Sequence, residues 1–156
     1  MSSVPSLNEK IRVLILEDDP FFMDLLVGVF EKSEKFTVMA KFTNIEDLVK
    51  ASPNYVARYK SNPEELPDLL CLDIIAGPTT DLGTHALNGA NVSLYIKKAG
   101  IKIAVLLISS IKSENLQQLV GTKFPGYMFL QKTSRITDSE IIDMALKSIE
   151  SMRSNS

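Results

Sequence analysis

The chain has 156 residues, of which 45% are hydrophobic and 23% charged, enough apolar material for one packed domain and too little length for two of similar size. Its 17 basic and 19 acidic side chains leave a net charge of −2, so there is no electrostatic footprint for nucleic acid. A single cysteine, Cys71, and a single histidine, His85, exclude an internal disulfide framework, a multi-cysteine zinc site and a histidine-based metalloprotease.

The opening MSSVPSLNEK is polar and unlike a secretory signal, and a flexible N-terminal segment is expected over 1–9. Ile11 to Leu16 is a near-continuous apolar run, the pattern of a strand buried on both faces. It stops at Glu17-Asp18-Asp19-Pro20. Asp19 followed by Pro20 predicts a helix start, with an N-cap and then a proline at the first helical position. Phe22, Leu25, Leu26, Val29 and Phe30 follow at helical spacing.

Phe36, Val38, Ala40 and Phe42 alternate with Thr37, Met39 and Lys41, which predicts an edge strand with one face less buried. Asn44 to Tyr59 is a weaker helical stretch that Pro53 is expected to interrupt. Leu69 to Leu72 is a second buried run and ends in Asp73. Ile74 to Asn88 reads as a loop; it contains Gly77, Pro78, Gly83 and His85, the last expected to be exposed.

Val92, Tyr95, Ile96 and Ala99 form the next helical face, stopped by Gly100. Ile103 to Ile108 is a third buried strand, ending in Ser109-Ser110. The longer apolar run to Ile111 is interrupted by those serines and too short to span a bilayer. Ser113 is placed to cap a short helix carrying Leu116, Leu119 and Val120. Tyr127 to Leu130 is a last strand ending near Lys132. Thr137-x-x-Glu140 is a capping-box pattern before Ile141, Ile142, Ala145 and Ile149.

Five strands alternating with five helices predict an α/β fold, an open doubly wound parallel sheet rather than an eight-stranded barrel. In such sheets the site lies outside the carboxyl ends of the strands. Glu17 and Asp18, Asp73, Ser109 and Lys132 fall there in succession. If the first and third strands are neighbours, three carboxylates share one pocket, and their repulsion either raises a pKa or requires a hard cation. Mg2+ is the expected one, because it takes few protein carboxylates and leaves room for phosphate oxygens. A lysine and a hydroxyl beside them suit a phosphoryl group, and an aspartate can itself be the nucleophile. Cys71, inside a buried strand, reads as a small core residue.

The segments VLILEDDP (Val13 to Pro20), PDLLCLDI (Pro67 to Ile74), AVLLISS (Ala104 to Ser110) and FLQK (Phe129 to Lys132) together resemble the receiver domain of two-component response regulators. The resemblance spans about 10–152, leaving 153–156 as a tail, and implies a flavodoxin-like (βα)5 fold with strand order 2-1-3-4-5. It implies Asp73 as the phosphoacceptor. Asp18 would be the direct Mg2+ ligand, Glu17 its water-mediated neighbour, and Ile75 the donor of a backbone carbonyl. Ser109 and Lys132 would contact the phosphoryl group, with Ser109 and Phe129 forming the switch pair.

The implied function is a phosphorylation-dependent signalling switch. It would catalyse its own aspartyl phosphorylation and dephosphorylation without being primarily an enzyme. The implied donor is a histidine kinase or histidine phosphotransfer protein. Output would pass to a downstream protein, or to a second copy of the chain, through the fourth helix, fifth strand and fifth helix. Neither nucleic acid nor membrane is an expected partner of these residues and the expected location is the cytoplasm; the receiver fills these 156 residues, so it is expected either to act by docking on partners or to be separated from an effector. The apolar Ile75 and Ile111 imply slow self-dephosphorylation.

Three departures stand out, the first being the long segment between the second and third strands, Asn44 to Leu66. The stretch at about 76–88 is longer than the family's usual turn, and Thr133 stands where a proline is common. The long loop motivates an alternative, a receiver-like binding module that signals without phosphate. Carboxylate-metal hydrolases of related folds need Asp-x-Asp, whereas this chain has Asp18-Asp19 and Asp73-Ile74-Ile75.

Overall fold

A computed structural model describes residues 10–59, 61–73, 88–110 and 127–154. In chain order the elements are β1 (Ile11–Leu16), α1 (Pro20–Lys32), β2 (Phe36–Phe42), α2 (Ile45–Arg58) and a 3-10 turn (Pro63–Glu65). These are followed by β3 (Leu69–Asp73), α3 (Asn88–Lys98), β4 (Ala104–Ser109), β5 (Met128–Gln131) and α4 (Asp138–Ser154). All strand pairs are parallel and the order is β2-β1-β3-β4-β5, the flavodoxin-like order expected. The C-terminal helix α4 is the fifth helical segment read from the sequence. The fourth, after Ser113, lies outside the described residues, as do Ile75, His85 and most of the 76–88 stretch; Asn88 already opens α3.

The sheet separates two cores. Leu14, Leu16, Leu70, Leu72, Val105 and Leu107 face α2 and α3, packing with Leu48, Val92 and Ile96. The alternate residues Val13, Ile15, Leu69, Cys71, Leu106 and Ile108 face α1 and α4, packing with Leu26, Phe30, Ile141 and Ala145. Both faces of each central strand are therefore dry, which is why the sequence shows apolar runs there and not alternation. Burial of each large aliphatic side chain contributes roughly 1.5–3 kcal/mol.

The helix ends follow the expected chemistry. Asp19 Oδ1 accepts from the Phe21 N–H at 3.0 Å, and Pro20 opens α1. Asn44 Oδ1 accepts from the Asp47 N–H at 2.9 Å to cap α2. Thr137 Oγ1 accepts from the Glu140 N–H at 3.2 Å and donates to Glu140 Oε1 at 3.0 Å. Gly100 ends the α3 segment at φ +88°, the left-handed conformation that favours glycine.

Three expectations need correction. Pro53 does not interrupt α2, which runs through it. Pro53 and Val49 are on the exposed side, where solvent can serve the carbonyl that the proline leaves without a donor. In α1, Leu25 is 38% exposed and Met23 is buried in its place. The apolar face of the helix is thus rotated relative to the Phe22–Leu25 reading.

The third correction concerns β2. Its register against β1 shifts between Val13, which pairs with Val38, and Leu14, which pairs with Ala40. Met39 is the extra residue of a bulge. Phe36 and Val38 consequently join the α1/α4 core, while Ala40 and Phe42 join the α2/α3 core. The strand is an edge strand, but its alternating apolar residues do not share one face. Glu31 Oε1 of α1 accepts the Val38 N–H at 3.1 Å, holding the strand beside the bulge.

At the opposite end of the sheet from the strand carboxyl termini, the Arg12 guanidinium grips Asp68 through Nε at 3.2 Å and Nη2 at 3.1 Å, while the Arg12 N–H donates to Asp68 Oδ2 at 2.9 Å. This pins the entry of β3 to that of β1. The Tyr127 hydroxyl and Ser93 Oγ lie 2.7 Å apart in a buried hydrogen bond, tying α3 to the start of β5.

Candidate functional site

The candidate side chains stand where the sheet's dry interior stops, at the carboxyl ends of β1, β3, β4 and β5. Glu17 continues the Val13–Ile15 row of β1, Asp73 the Leu69–Cys71 row of β3, and Lys132 the Met128–Leu130 row of β5. All three rows belong to the α1/α4 face. Ser109 continues the Val105–Leu107 row of β4, on the other face, which Phe129 shares. The Lys132 N–H donates to the Ser109 carbonyl at 2.7 Å, so the ends of β4 and β5 are locked together.

The structure brings Glu17, Asp18 and Asp73 together. One carboxylate oxygen from each lies within 4.8 Å of the other two. Glu17 is fully buried, Asp73 is 6% exposed, and Asp18 faces solvent. Lys132 Nζ bridges the two buried carboxylates, at 2.9 Å from Glu17 Oε1, 3.0 Å from Oε2 and 3.2 Å from Asp73 Oδ2. Its ammonium also lies 4.6 Å from the centroid of the Phe22 ring, from α1. Ser109 is buried and Phe129 half-buried. Ile75 lies outside the described residues.

The electrostatics are those of one cation shared among several anions. Burial, and then the neighbouring Glu17 charge, push the Asp73 carboxyl up to about 8, against the opposing pull of Lys132. For Lys132, burial works against the charged form. The two carboxylates outweigh it and hold the ammonium above the ordinary lysine value. Burial, with the two carboxylates adding to it, pushes the Cys71 thiol up and leaves it a protonated core residue.

Whether a divalent cation suits this site is answered by Glu17. Its Oε2 accepts from the Asp19 N–H at 2.9 Å and from Lys132. Its Oε1 is buried without a directed hydrogen bond; Lys132 is near enough for ion pairing but off the hydrogen-bond direction. A buried carboxylate oxygen left in that state costs free energy and has unused lone pairs. Together with Asp18 and Asp73 it forms an all-oxygen donor set of the kind a hard cation such as Mg2+ takes. The residues fit the ion.

Sequence reasoning missed two contributors. The Asp19 N–H orients Glu17, and the Phe22 face covers Lys132. Phe22 shows in the sequence only as a member of an apolar helix face, and nothing there says that a cation sits on it. An apolar groove of about 780 Å3, lined by Ile45, Val49, Pro53, Val92 and Tyr95 among others, shares no residue with the carboxylates.

No family model and no curated protein sequence matches the chain. Solved structures do. The signal receiver domain of the putative response regulator NarL from Mycobacterium tuberculosis superposes with a TM-score of 0.64 at 22% identity, covering 91% of this chain and 98% of that one. A CheY-like receiver domain protein from Methanospirillum hungatei gives 0.64 at 11% identity, over 95% and 100%. The CheX–CheY complex with BeF3 and Mg2+ from Borrelia burgdorferi gives 0.60 at 20% identity, over 87% of each chain. Strand order, helix placement and these superpositions agree: the chain has the fold of the response-regulator receiver domains.

Proposed function

We propose that the protein is a phosphoryl-accepting signalling switch of the two-component kind, with Asp73 as acceptor. The observation that carries this reading is the bridged cluster itself. Glu17, Asp18 and Asp73 converge within 4.8 Å, and Lys132 ties the two buried members together at the carboxyl ends of β1, β3 and β5.

The donor is a phosphohistidine of a kinase or phosphotransfer protein. Its N–P bond breaks as an Asp73 Oδ–P bond forms, and the freed imidazole keeps the electron pair and takes up a proton from solvent. Glu17, Asp18 and Asp73 would hold Mg2+, with the Ile75 carbonyl as a further ligand. The ion, when bound, supplies positive charge to the phosphoryl oxygens. Lys132 exchanges its Asp73 partner for a phosphoryl oxygen, and the Ser109 hydroxyl donates to another. Ser109 and Phe129 share one sheet face. Movement of Ser109 toward the phosphoryl group frees space that Phe129 turns into, and the surface around β5 and the C-terminal helix changes for a downstream protein or a second copy. The BeF3 and Mg2+ of the Borrelia complex support the reading, since the same fold accommodates both there. No described helix is long and apolar enough to cross a membrane.

The test is labelling with acetyl phosphate, with and without Mg2+. Labelling should require the metal and vanish in Asp73→Asn; full labelling of that variant rejects the assignment. Failure to bind either Mg2+ or beryllofluoride would select the phosphate-independent binding module instead.

A further inference from the structure

We infer that Phe22 is a positioning residue for Lys132, its ring face keeping the ammonium beside Asp73 while the lysine changes partners. The inference rests on the phosphoacceptor reading of Asp73 and adds a residue to it.

Lys132 has three N–H donors. Among the described residues, two groups accept from it, Glu17 Oε2 at 3.0 Å and Asp73 Oδ2 at 3.2 Å, and the Phe22 ring forms a third wall at 4.6 Å. The first two contacts are with anions that the reaction itself alters. A cation entering the carboxylate cluster competes for both, and a phosphoryl group on Asp73 replaces one. The ring carries no net charge, so its attraction to the ammonium survives either event. It also keeps bulk water from that side of the ammonium, where the local dielectric decides how strongly the charge acts.

The ring is held in place by the start of α1. Asp19 caps the helix, Pro20 fixes its first turn, and Phe22 packs partly buried on the α1/α4 core. The Asp19 N–H that hydrogen-bonds Glu17 Oε2 belongs to the same turn, so the turn that orients the carboxylate also orients the ring.

The test uses the full chain with Phe22→Leu, which keeps apolar volume and removes the ring face, and Phe22→Tyr, which keeps the face. Acetyl phosphate labelling at saturating Mg2+ should slow about three- to tenfold in Phe22→Leu and stay near the unaltered rate in Phe22→Tyr. The second readout is the ε-methylene resonance of Lys132 in 13C-lysine protein, assigned by its loss in Lys132→Arg. A methylene over a ring face resonates upfield; Phe22→Leu should return it to the ordinary lysine position and Phe22→Tyr should not. Unchanged labelling in Phe22→Leu, or equal slowing in both variants, overturns the proposal. If the unaltered protein does not label at all, the phosphoacceptor reading fails. The lysine resonance then decides the Phe22 contact separately, and an ordinary position overturns it.

Discussion

At the scale of single residues, the site is governed by how much charge a buried strand end can carry. Asp73 is nearly enclosed, faces Glu17, and is only partly relieved by Lys132. Its carboxyl is raised from the ordinary value near 4 to about 8, so between these pH values the native state holds a proton that the unfolded chain has released. Any stability it contributes below pH 4 is therefore lost as the pH rises to 8. In chelator, urea midpoints of the unaltered protein should fall from pH 5 to 8 by more than those of Asp73→Asn. Converted to unfolding free energy, the difference should be on the order of a few kcal/mol. Equal pH slopes would show that burial does not tax this carboxylate. Cys71 is a different kind of buried group, a thiol that burial keeps protonated. It should resist iodoacetamide until the chain unfolds, since only the thiolate reacts.

At the scale of elements, the same substitution has opposite signs in two places. Gly28 lies inside α1, and a Cβ there would meet nothing within 4 Å. Gly28→Ala should stabilise the protein by roughly 0.5–1 kcal/mol through helix propensity and a less mobile unfolded chain. Gly100 has equal space but φ +88°. Gly100→Ala should destabilise by about 1–2 kcal/mol, because the strain is in the backbone and not in packing. Thermal unfolding of the two variants checks both signs. Glu34 already sits at φ 64° after α1, so Glu34→Gly is expected to help.

Elements also differ in how far they can be read from residues alone. β1, β3 and β4 are legible as apolar runs that stop at Glu17, Asp73 and Ser109, because the part of a strand buried on both faces stays apolar until the sheet ends; Arg12, at the half-buried entry of β1, is the exception. The bulge in β2 is not legible. Phe36, Val38, Ala40 and Phe42 keep a perfect period of two through Met39, and only the pairing with β1 reveals that the face has changed.

For the whole molecule, a Glu17 Oε1 that is ion-paired but lacks a directed hydrogen bond, together with the crowding of Glu17, Asp18 and Asp73, would link metal binding to stability. A cation that binds only the native state stabilises it by mass action, about 2.7 kcal/mol at a hundredfold excess over its Kd. Mg2+ should raise the urea midpoint of the unaltered protein, and Asp18→Asn should remove most of that gain. An unaltered midpoint unmoved by Mg2+ would count against the site. The sequence by itself determined the alternation of strands and helices, the caps, and the polar stops that end β1, β3, β4 and β5. These are local matters of periodicity and backbone hydrogen bonding. Only the tertiary structure decided which of those stops meet. Lys132 and Glu17 are 115 residues apart in the chain. They touch because parallel pairing sets β1 beside β3 and β4 beside β5, and because the pleat turns both side chains to the α1 face. There Phe22 closes over the ammonium.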